Sequence, residues 1–325
     1  MASLKFLSAF LALACVLSSI ARAETAWTPE QVRIVVPYPP GTEPDVLARD
    51  IGNQLGKRTG KVFVVENKPG ANAIIGAANV AKSAGDGSVL LMVDRLALVT
   101  NPFLYASLPY DWRKELKPVA DVGHIDLYVA VRASLGVNDY RGLIAKARSS
   151  AGAVNVGTGG NGHVTHLGMA MLANSEGVDF TYVPFKGVAP AVTALLGGEV
   201  DVLMAGGLVM SQHLPSGKIK VLAMGADKRS GFMPDVPTLA EAGGKPGAIP
   251  STVFSMFAPG TMSDALAERI NGEIRAAMDD AALRANYAKR GVEIRVPAPA
   301  RPRADMERDS VDYEKLIKKL GITSQ

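Results

Sequence analysis

The stretch VRIVVPYPPG at residues 32–41 joins a β-branched apolar run to a stiff, proline-rich turn. After the turn, Leu47, Ile51 and Leu55 recur at every fourth position, which predicts an apolar stripe on one face of a helix. A second apolar run, residues 62–65, follows this helix. Near-continuous apolar strands that alternate with helices are typical of a parallel sheet covered on both faces. The first part of the chain therefore predicts an α/β fold.

The same alternation begins again in the middle of the chain. Further strands are predicted at residues 127–131, 154–156, 180–183, 200–204 and 219–223, with helices between them. The last third differs because it is mainly helical in pattern. Ser263 is the predicted N-cap of one helix, and the charged tail at 303–320 predicts another.

The order of these units predicts two lobes. Helices that come late in such a chain commonly pack back on the first unit, which makes that unit discontinuous. We therefore expect a lobe 1 formed by residues 24–125 plus 251–325 and a lobe 2 formed by residues 126–250. Two lobes with two connections between them leave a cleft, and a cleft of this kind is where ligands bind.

The composition is that of a globular protein without a nucleic-acid partner. The 325 residues are 48% hydrophobic and 20% charged, which is too apolar for a disordered chain. The formal net charge is +4, and the basic residues form no block beyond the short cluster of Lys315, Lys318 and Lys319. Binding to nucleic acid requires a concentrated basic face, so we expect none.

Residues 1–23 have the pattern of a secretory leader peptide. Lys5 precedes an apolar run at residues 6–20, and a small-x-small sequence ends at Ala23. We expect cleavage after Ala23 and a periplasmic location; an uncleaved anchor and a lipid on Cys15 are the alternatives. Cys15 is the sole cysteine, so disulfides, Cys–zinc sites and thiol nucleophiles are excluded from the exported chain.

The glycine-rich sequence GTGGNG at residues 157–162 fits the dinucleotide pattern G-x-G-x-x-G. In a dinucleotide site an acidic residue ends the next strand, whereas Asp179 stands at the start of that strand. A glycine-rich turn at a helix N-terminus also binds small anions, and we favour this interpretation. Residues 39–42 form a similar turn after the first strand, with Thr42 as the predicted cap. One such turn in each lobe predicts a carboxylate held between the lobes.

Other chemistry receives little support. His163 and His166 have a spacing that can bind a metal, but no H-E-x-x-H motif completes such a site, so we favour ordinary hydrogen-bonding histidines. Asp45, in the first turn of a helix, is interpreted as a favourable partner of the helix dipole. The sequence contains no G-x-S-x-G elbow and no other catalytic constellation. We expect a binding protein without metal, cofactor or catalytic residue; an exported α/β enzyme acting on an organic acid is the alternative.

Several motifs occur along the chain in a specific order. They are PYPPG at 37–41 with Asp45 and Ala48-Arg49; ENKPGA at 66–71; NPFLY at 101–105 with LPYD at 108–111; GNG at 160–162 with His166-Leu167; VPFKG at 183–187 with residues 189–191 and 197–201; and PDVPT at 234–238 with residues 241–243. Together they resemble the substrate-binding proteins of tripartite tricarboxylate transporters, the Bug family. The resemblance covers essentially the whole exported chain.

This resemblance implies a two-lobed periplasmic binding protein of the type II-like, Venus-flytrap kind, each lobe a mostly parallel sheet flanked by helices. The implied function is capture of a small organic acid, a mono- or dicarboxylate, for delivery to the membrane permease subunits of the transporter. We expect the protein to be a monomer. Carried onto this chain, the residues that grip the ligand are Tyr38, Pro40, Gly41 and Thr42 in lobe 1, and Thr158, Gly159, Asn161 and His166 in lobe 2.

The chain departs from the family pattern near the predicted site. Ala205 stands where many relatives carry Asp or Asn, which argues against recognition of an ammonium group and leaves room for a bulkier, aromatic acid. Thr42 replaces a glycine, and Glu43 beside a predicted anion site is unexplained unless it points to solvent or meets a cationic group of the ligand. Arg95, just after a third predicted strand at residues 89–93, is either a charged ligand contact or part of a surface salt bridge.

Overall fold

The computed structural model describes residues 27–149 and 151–322 of the chain. The predicted leader peptide, its cleavage site after Ala23 and Cys15 lie outside these residues. In the part of the chain that is described, no helix is both long enough and apolar enough to cross a membrane.

The first part of the chain alternates strands and helices as the sequence predicts. It forms β1 (Gln31–Val36), α1 (Glu43–Thr59), β2 (Val62–Asn67), α2 (Ile74–Ala81), β3 (Val89–Asp94) and α3 (Arg95–Leu104). The three strands are parallel, and β1 lies between β2 and β3. Every residue of β3 is buried, as expected for a strand covered by helices on both faces of the sheet.

The middle of the chain forms a second group of elements. In order they are α4 (Trp112–Glu115), β4 (Leu116–Arg132), α5 (Tyr140–Ser149), β5 (Asn155–Thr158), α6 (Val164–Glu176), β6 (Thr181–Pro184), α7 (Val188–Gly197), β7 (Val202–Gly206), α8 (Gly207–Ser211) and β8 (Ile219–Met224). Strand β5 lies between β6 and β7, and all three are parallel. Strand β4 has 17 residues, so it is much longer than the strand predicted at 127–131.

The last third supplies two strands and three helices. They are β9 (Ser251–Pro259), α9 (Asp264–Ala277), α10 (Ala281–Ala288), β10 (Val292–Ile294) and α11 (Ala300–Leu320). Ser263 is the N-cap of α9, as predicted, and its hydroxyl accepts a hydrogen bond from the Leu266 amide at 3.2 Å. Helix α9 packs against α1, and α11 packs against α3, so the late helices cover the first group of elements.

Strand β4 belongs to both halves of the sheet. Its first half pairs with β9 and β10, and its second half pairs with β7 and β8. The strand order is β2-β1-β3-β9-β4-β7-β5-β6, with β8 and β10 also paired to β4. We call lobe 1 the part built on β1–β3, β9, β10 and the first half of β4. Lobe 2 is the part built on β5–β8 and the second half of β4.

The expectation of mostly parallel sheets holds for the outer strands and not for the strands that join the lobes. Strand β9 runs antiparallel to β3 and β4, and β4 runs antiparallel to β7 and β8. The chain enters lobe 2 along β4 and returns to lobe 1 along β9, so these two strands point in opposite directions. Each lobe therefore contains a mixed sheet with a parallel outer part.

Apolar side chains hold the helices on the sheet in both lobes. In lobe 1 the predicted stripe of Leu47, Ile51 and Leu55 on α1 is buried against β1, β4 and α9. In lobe 2, Leu143 of α5 and Leu172 of α6 are buried in a cluster with residues of β4, β5 and β7. Full burial of such a side chain contributes about 1.5–3 kcal/mol to folding.

A close backbone approach at Gly260 fixes the end of β9. The Gly260 amide donates to the Glu115 carbonyl at 2.8 Å, and an added Cβ would overlap the Lys114 carbonyl oxygen. We expect Gly260→Ala to lower the free energy of unfolding by about 1–3 kcal/mol, because the obstructing atoms belong to the backbone. Gly272→Ala, within α9 where an added Cβ meets open space, should instead raise it by about 0.5–1 kcal/mol. Urea unfolding followed by circular dichroism measures both variants, and equal effects would contradict the steric argument.

Candidate functional site

The loop between β1 and α1 uses its own polar groups to hold its shape. The Gly41 amide donates to Asp45 Oδ2 at 2.9 Å, and the Thr42 hydroxyl donates to the Pro39 carbonyl at 2.7 Å. Thr42 is the N-cap residue of α1, as predicted, but its side chain makes no capping hydrogen bond. Pro40 and Gly41 are exposed at the tip of the loop. Two of the predicted ligand donors are thus already engaged within the loop.

Asp45 organises this loop, a role that the sequence did not indicate beyond a favourable interaction with the helix dipole. Its carboxylate accepts hydrogen bonds from the Gly41 amide, from Arg49 and from Asn67 Nδ2, the last at 2.8 Å. Asn67 Nδ2 also donates to the Tyr38 carbonyl at 3.1 Å, which ties the end of β2 to the same loop. Burial acts to raise the pKa of Asp45, but these hydrogen bonds outweigh it and hold the pKa below its usual value. The carboxylate therefore stays ionised and keeps the loop in place.

Tyr38 connects the first loop to the end of β3. Its ring packs edge-to-face on Phe254, with 6.4 Å between ring centroids. Its hydroxyl oxygen accepts a hydrogen bond from the Asp94 amide at 3.2 Å, and burial raises the pKa of the phenol. Tyr38 thereby links the loop after β1 to the end of β3 and to the crossing strand β9.

The loop between β5 and α6 is also hydrogen-bonded within itself. The Gly159 amide donates to Thr165 Oγ1 at 2.9 Å, and the Gly162 amide donates to His166 Nδ1 at 3.2 Å. His163 is the N-cap of α6 and accepts a hydrogen bond from the Thr165 amide. Thr158 is 0% exposed, and its hydroxyl oxygen accepts a hydrogen bond from the Gly160 amide of the same loop at 3.4 Å.

His166 is a neutral hydrogen-bond donor. Because its Nδ1 accepts the Gly162 amide, the ring proton is assigned to Nε2. Burial lowers the pKa of His166, and burial together with His166 lowers the pKa of His163 to about 4. The His166 ring also packs against Tyr182, with 4.7 Å between centroids. Residues 27–149 and 151–322 contain no group of three His, Cys, Asp or Glu side chains placed to hold a metal ion.

Asn161 and His166 are brought together at one cavity of about 570 Å³, which we call the loop cavity. Tyr182 forms part of its wall, and the end of α11 contributes Lys319. Lys319 Nζ donates to Asn174 Oδ1 at 2.6 Å. A role of Lys319 at the site is not predictable from the sequence, because its position depends on how α11 packs beside α6. The predicted residues of the first loop do not line this cavity.

A larger groove, of about 1050 Å³, lies where β8 and β10 leave β4. It contains none of the predicted ligand residues. Two of its cations are already neutralised, since Arg229 pairs with Glu241 at 2.8 Å and Arg295 pairs with Glu293. We give this groove less weight than the loop cavity, because no predicted ligand residue lines it and two of its cations are already paired.

Helix α3 spans the distance between the two loops. It begins next to Asp94, whose amide binds Tyr38, and ends at Leu104, against which Gly162 of the second loop packs. A helix of ten residues is about 15 Å long. Tyr38 and Val164 also pack against the same apolar cluster, which contains residues of β3, α2, α3 and α11. Both candidate loops therefore contact α3 and the apolar cluster around it.

Arg95 forms a salt bridge, which is one of its two predicted environments, but the pair is partly buried and does not lie on the surface. Its guanidinium is 2.9 Å from Asp121, 3.5 Å from Asp309 and 3.7 Å from Asp305, and its side chain is 12% exposed. This is a partly buried ion-pair cluster that joins α3, β4 and α11. Because its charge is already compensated, the geometry favours a structural role over a ligand contact.

The structure resolves the question of Glu43. Its Oε2 accepts from Arg290 Nη2 at 2.7 Å, so the side chain turns away from the loop tip toward the segment after α10. Burial raises the pKa of Glu43, and Arg290 opposes this effect. The explanation involves neither solvent nor a cationic ligand.

Ala205 is buried in the sheet of lobe 2, contrary to the expectation that it lines the ligand site. It pairs with Tyr128 of β4 and is 1% exposed within an apolar cluster that includes Leu203 and Met210. The absence of a polar side chain here is therefore explained by packing.

The chain is similar in sequence and structure to known periplasmic binding proteins. The chain is 28% identical to Rpa4515 of R. palustris, solved with adipate, over 92% of this chain and 99% of that one, with a TM-score of 0.81. It is 28% identical to MatC of Rhodopseudomonas palustris with bound malate, over 88% and 98%, with a TM-score of 0.76. Protein BugT of Bordetella pertussis is 30% identical over 89% of each chain. The fold is thus that of two-lobed periplasmic solute-binding proteins.

The family model of the tripartite tricarboxylate transporter family receptor matches residues 47–322. The chain belongs to this family, so the predicted resemblance and fold class are confirmed. The family consists of solute-binding receptors and is not a family of enzymes, and together with its structural relatives it indicates a periplasmic protein.

Asp94 makes the stability of this region dependent on pH. It caps α3 by accepting from the Leu96 amide at 3.0 Å, is 8% exposed, and has its pKa raised by burial to about 7. Since the folded-state pKa lies above the usual value, this residue's contribution to stability is complete below about pH 4 and is lost as the pH rises through 7. We expect Asp94→Asn, which retains an uncharged acceptor, to be progressively more stable than the parent between pH 5 and pH 8.

Urea unfolding at several pH values measures this difference. The matched control is Asp280→Asn, the same substitution at the exposed N-cap of α10, which reports the effect of cap geometry alone. A difference between the Asp94 variant and the parent that does not change with pH would contradict the assignment.

Proposed function

We propose that this protein captures a small carboxylate-bearing organic acid between its lobes and delivers it to the membrane subunits of a tripartite tricarboxylate transporter. The observation that carries the proposal is the combination of family membership with two structural relatives that hold adipate and malate. Both of those molecules are dicarboxylates. A small aliphatic mono- or dicarboxylate is accordingly the proposed ligand class.

The geometry supports a grip by neutral donors. His166 offers Nε2–H as a neutral imidazole, and Asn161 lines the same cavity with its side-chain amide. Both lie at the N-terminus of α6, where the helix dipole favours negative charge. In this proposal Asn161 and His166 contact the carboxylate, while Tyr38, Pro40, Gly41, Thr42, Thr158 and Gly159 fix the shapes of the two loops. Arg95 and Ala205 are not included.

Binding by uncharged hydrogen-bond donors suits a protein that must release its ligand. A carboxylate held by hydrogen bonds alone avoids the large desolvation cost of a buried ion pair. Lys319, which lines the same cavity, donates to the neutral amide of Asn174 and remains exposed. Among the described residues that line the loop cavity, Lys319 is the one cation that would attract an anion, and Asp179 opposes it there.

The lobe boundaries proposed for this movement are 24–125 plus 251–325 for lobe 1 and 126–250 for lobe 2. They are supported by the change of partners along β4, where Ile125 pairs with β10 and Leu127 pairs with β7. Ser251 is the first residue of β9, the second crossing strand. Bending at these two strands would open and close the space between the loops.

The remaining features of the proposal concern location and assembly. The leader peptide is removed after Ala23, and the mature protein acts in the periplasm as a monomer without a cofactor. Its macromolecular partners are the permease subunits. No geometric feature of the described residues favours the alternative of an exported enzyme, but the experiment below separates the two.

A screen of organic acids tests the proposed function. Adipate, malate, acetate and benzoate are added to the purified protein, and its thermal unfolding is recorded. A ligand that binds only the folded state at 100 times its Kd stabilises it by about 2.7 kcal/mol, so a true ligand raises Tm and binds with fixed stoichiometry. Nuclear magnetic resonance of the same mixtures should show unchanged acid after prolonged incubation. Steady conversion of an acid without stoichiometric binding would favour the enzyme alternative.

Substitution in the second loop tests the location of the site. A Cβ at Gly159 would lie 2.8 Å from His163 Nδ1, so Gly159→Val must displace the ring that caps α6. We expect the affinity for the acid found in the screen to fall at least about tenfold while the circular dichroism spectrum is retained. The control is Gly231→Val, because no atom lies within 4 Å of a Cβ added at Gly231. If Gly159→Val binds like the parent, the second loop is not the carboxylate site even though the receptor function stands.

A further inference from the structure

The lysine cluster near the end of the chain borders a second cavity. Lys315 and Lys319, four residues apart on α11, line a space of about 380 Å³ together with Lys245 of lobe 2. We call it the seam cavity, because α11 of lobe 1 forms one wall while α6 and residues 245–248 of lobe 2 form the other. The cluster is visible in the sequence, but the sequence pattern alone indicates no role for it.

The floor of the seam cavity is apolar. Tyr313 and Leu316 of α11 are buried there, and Met171 of α6 packs against the same apolar cluster. Pro246 and Ala248 complete the lining on the side of lobe 2. A concave space of this size, apolar below and charged at the rim, has the properties of a site for a small amphiphilic molecule.

The rim carries an excess of positive charge. Three ammonium groups line the cavity against one carboxylate, that of Asp312. Among the described residues, neither Lys245 nor Lys315 forms an ion pair, and Lys319 donates to the neutral amide oxygen of Asn174. Lys318, on the same turn of α11, differs because it pairs with Glu314 at 2.6 Å and does not line the cavity. Like charges around one cavity repel each other, and an anion between them would relieve that repulsion.

We propose that the seam cavity binds a small anion with an apolar body, such as a medium-chain carboxylate or sulfonate, at a site separate from the loop cavity. The apolar body covers Tyr313, Leu316 and Met171, and the anionic head lies among Lys245, Lys315 and Lys319. The volume of the cavity, about 380 Å³, is that of a small-molecule site, which favours such a compound over an acidic segment of a partner protein.

Binding at the seam cavity links the two lobes. Its ligand contacts α11 of lobe 1 and α6 of lobe 2 at the same time, so it stabilises the arrangement in which these helices touch. The seam and loop cavities are neighbours that share Asn174 and Lys319. Lys245 and Lys315 line only the seam cavity of these two, and they are therefore the residues to test.

Octanoate is the probe, with acetate as the head group alone and octanamide as the uncharged body. Calorimetric titration of the parent should show octanoate binding that weakens with added salt, while acetate and octanamide bind at least about tenfold more weakly. The double variant Lys245→Gln/Lys315→Gln should lose at least about tenfold in octanoate affinity. Lys318→Gln, the matched control on the same helix, should bind octanoate like the parent.

Gly159→Val separates this site from the proposed acid site. We expect that variant to bind octanoate normally, since its change lies in the loop that supplies Asn161 and His166 to the other cavity. The inference is wrong if the parent does not bind octanoate, if the double variant binds it like the parent, or if Gly159→Val loses it. It is also wrong if an acidic peptide competes for the lysines while octanoate does not.

Discussion

The backbone hydrogen bonds of β4 are the constraint on which the two lobes depend. Buried N–H and C=O groups must be paired, and this strand satisfies them with β9 and β10 in one lobe and with β7 and β8 in the other. Register shifts near Pro118 and near Val129 let the strand bend without leaving the sheet. Both candidate loops follow parallel strands of the sheets that β4 joins, so their relative position is set by this one strand.

The sequence predicted the parallel strands better than the crossing strands. Strands β1, β3 and β7 are apolar runs, because helices cover both of their faces. The first half of β4 contains Pro118, Asp121, Gly123 and His124, which do not give a strand pattern. They are accommodated by specific tertiary partners: Asp121 pairs with Arg95 and accepts from Ser255. Such partners are distant in sequence and cannot be read from a local pattern.

In the candidate site, too, the features set by local sequence were predicted and those set by tertiary contacts were not. The sequence located both loops and the pair Asn161 and His166, because glycine-rich turns before helices have a recognisable chemistry. It did not predict that the Gly41 and Gly159 amides would be used within their own loops. Glu43 pairs with Arg290, which lies 247 residues later in the chain, and this pairing depends on how the late helices pack on lobe 1. Local chemistry therefore identifies where a ligand could bind, while the tertiary contacts decide which groups remain available.

The position of β9 between β3 and β4 has a consequence for the order of folding. All the strands that belong to lobe 2 lie in one continuous stretch of chain, and they can assemble as soon as that stretch has been made. Lobe 1 lacks the central strand of its sheet until residue 251 and beyond have emerged. Strand β3 therefore pairs with β9 only after the whole of lobe 2 has been made. Contacts of such long sequence separation form slowly. The N-terminal lobe is therefore the last to be completed as the chain emerges.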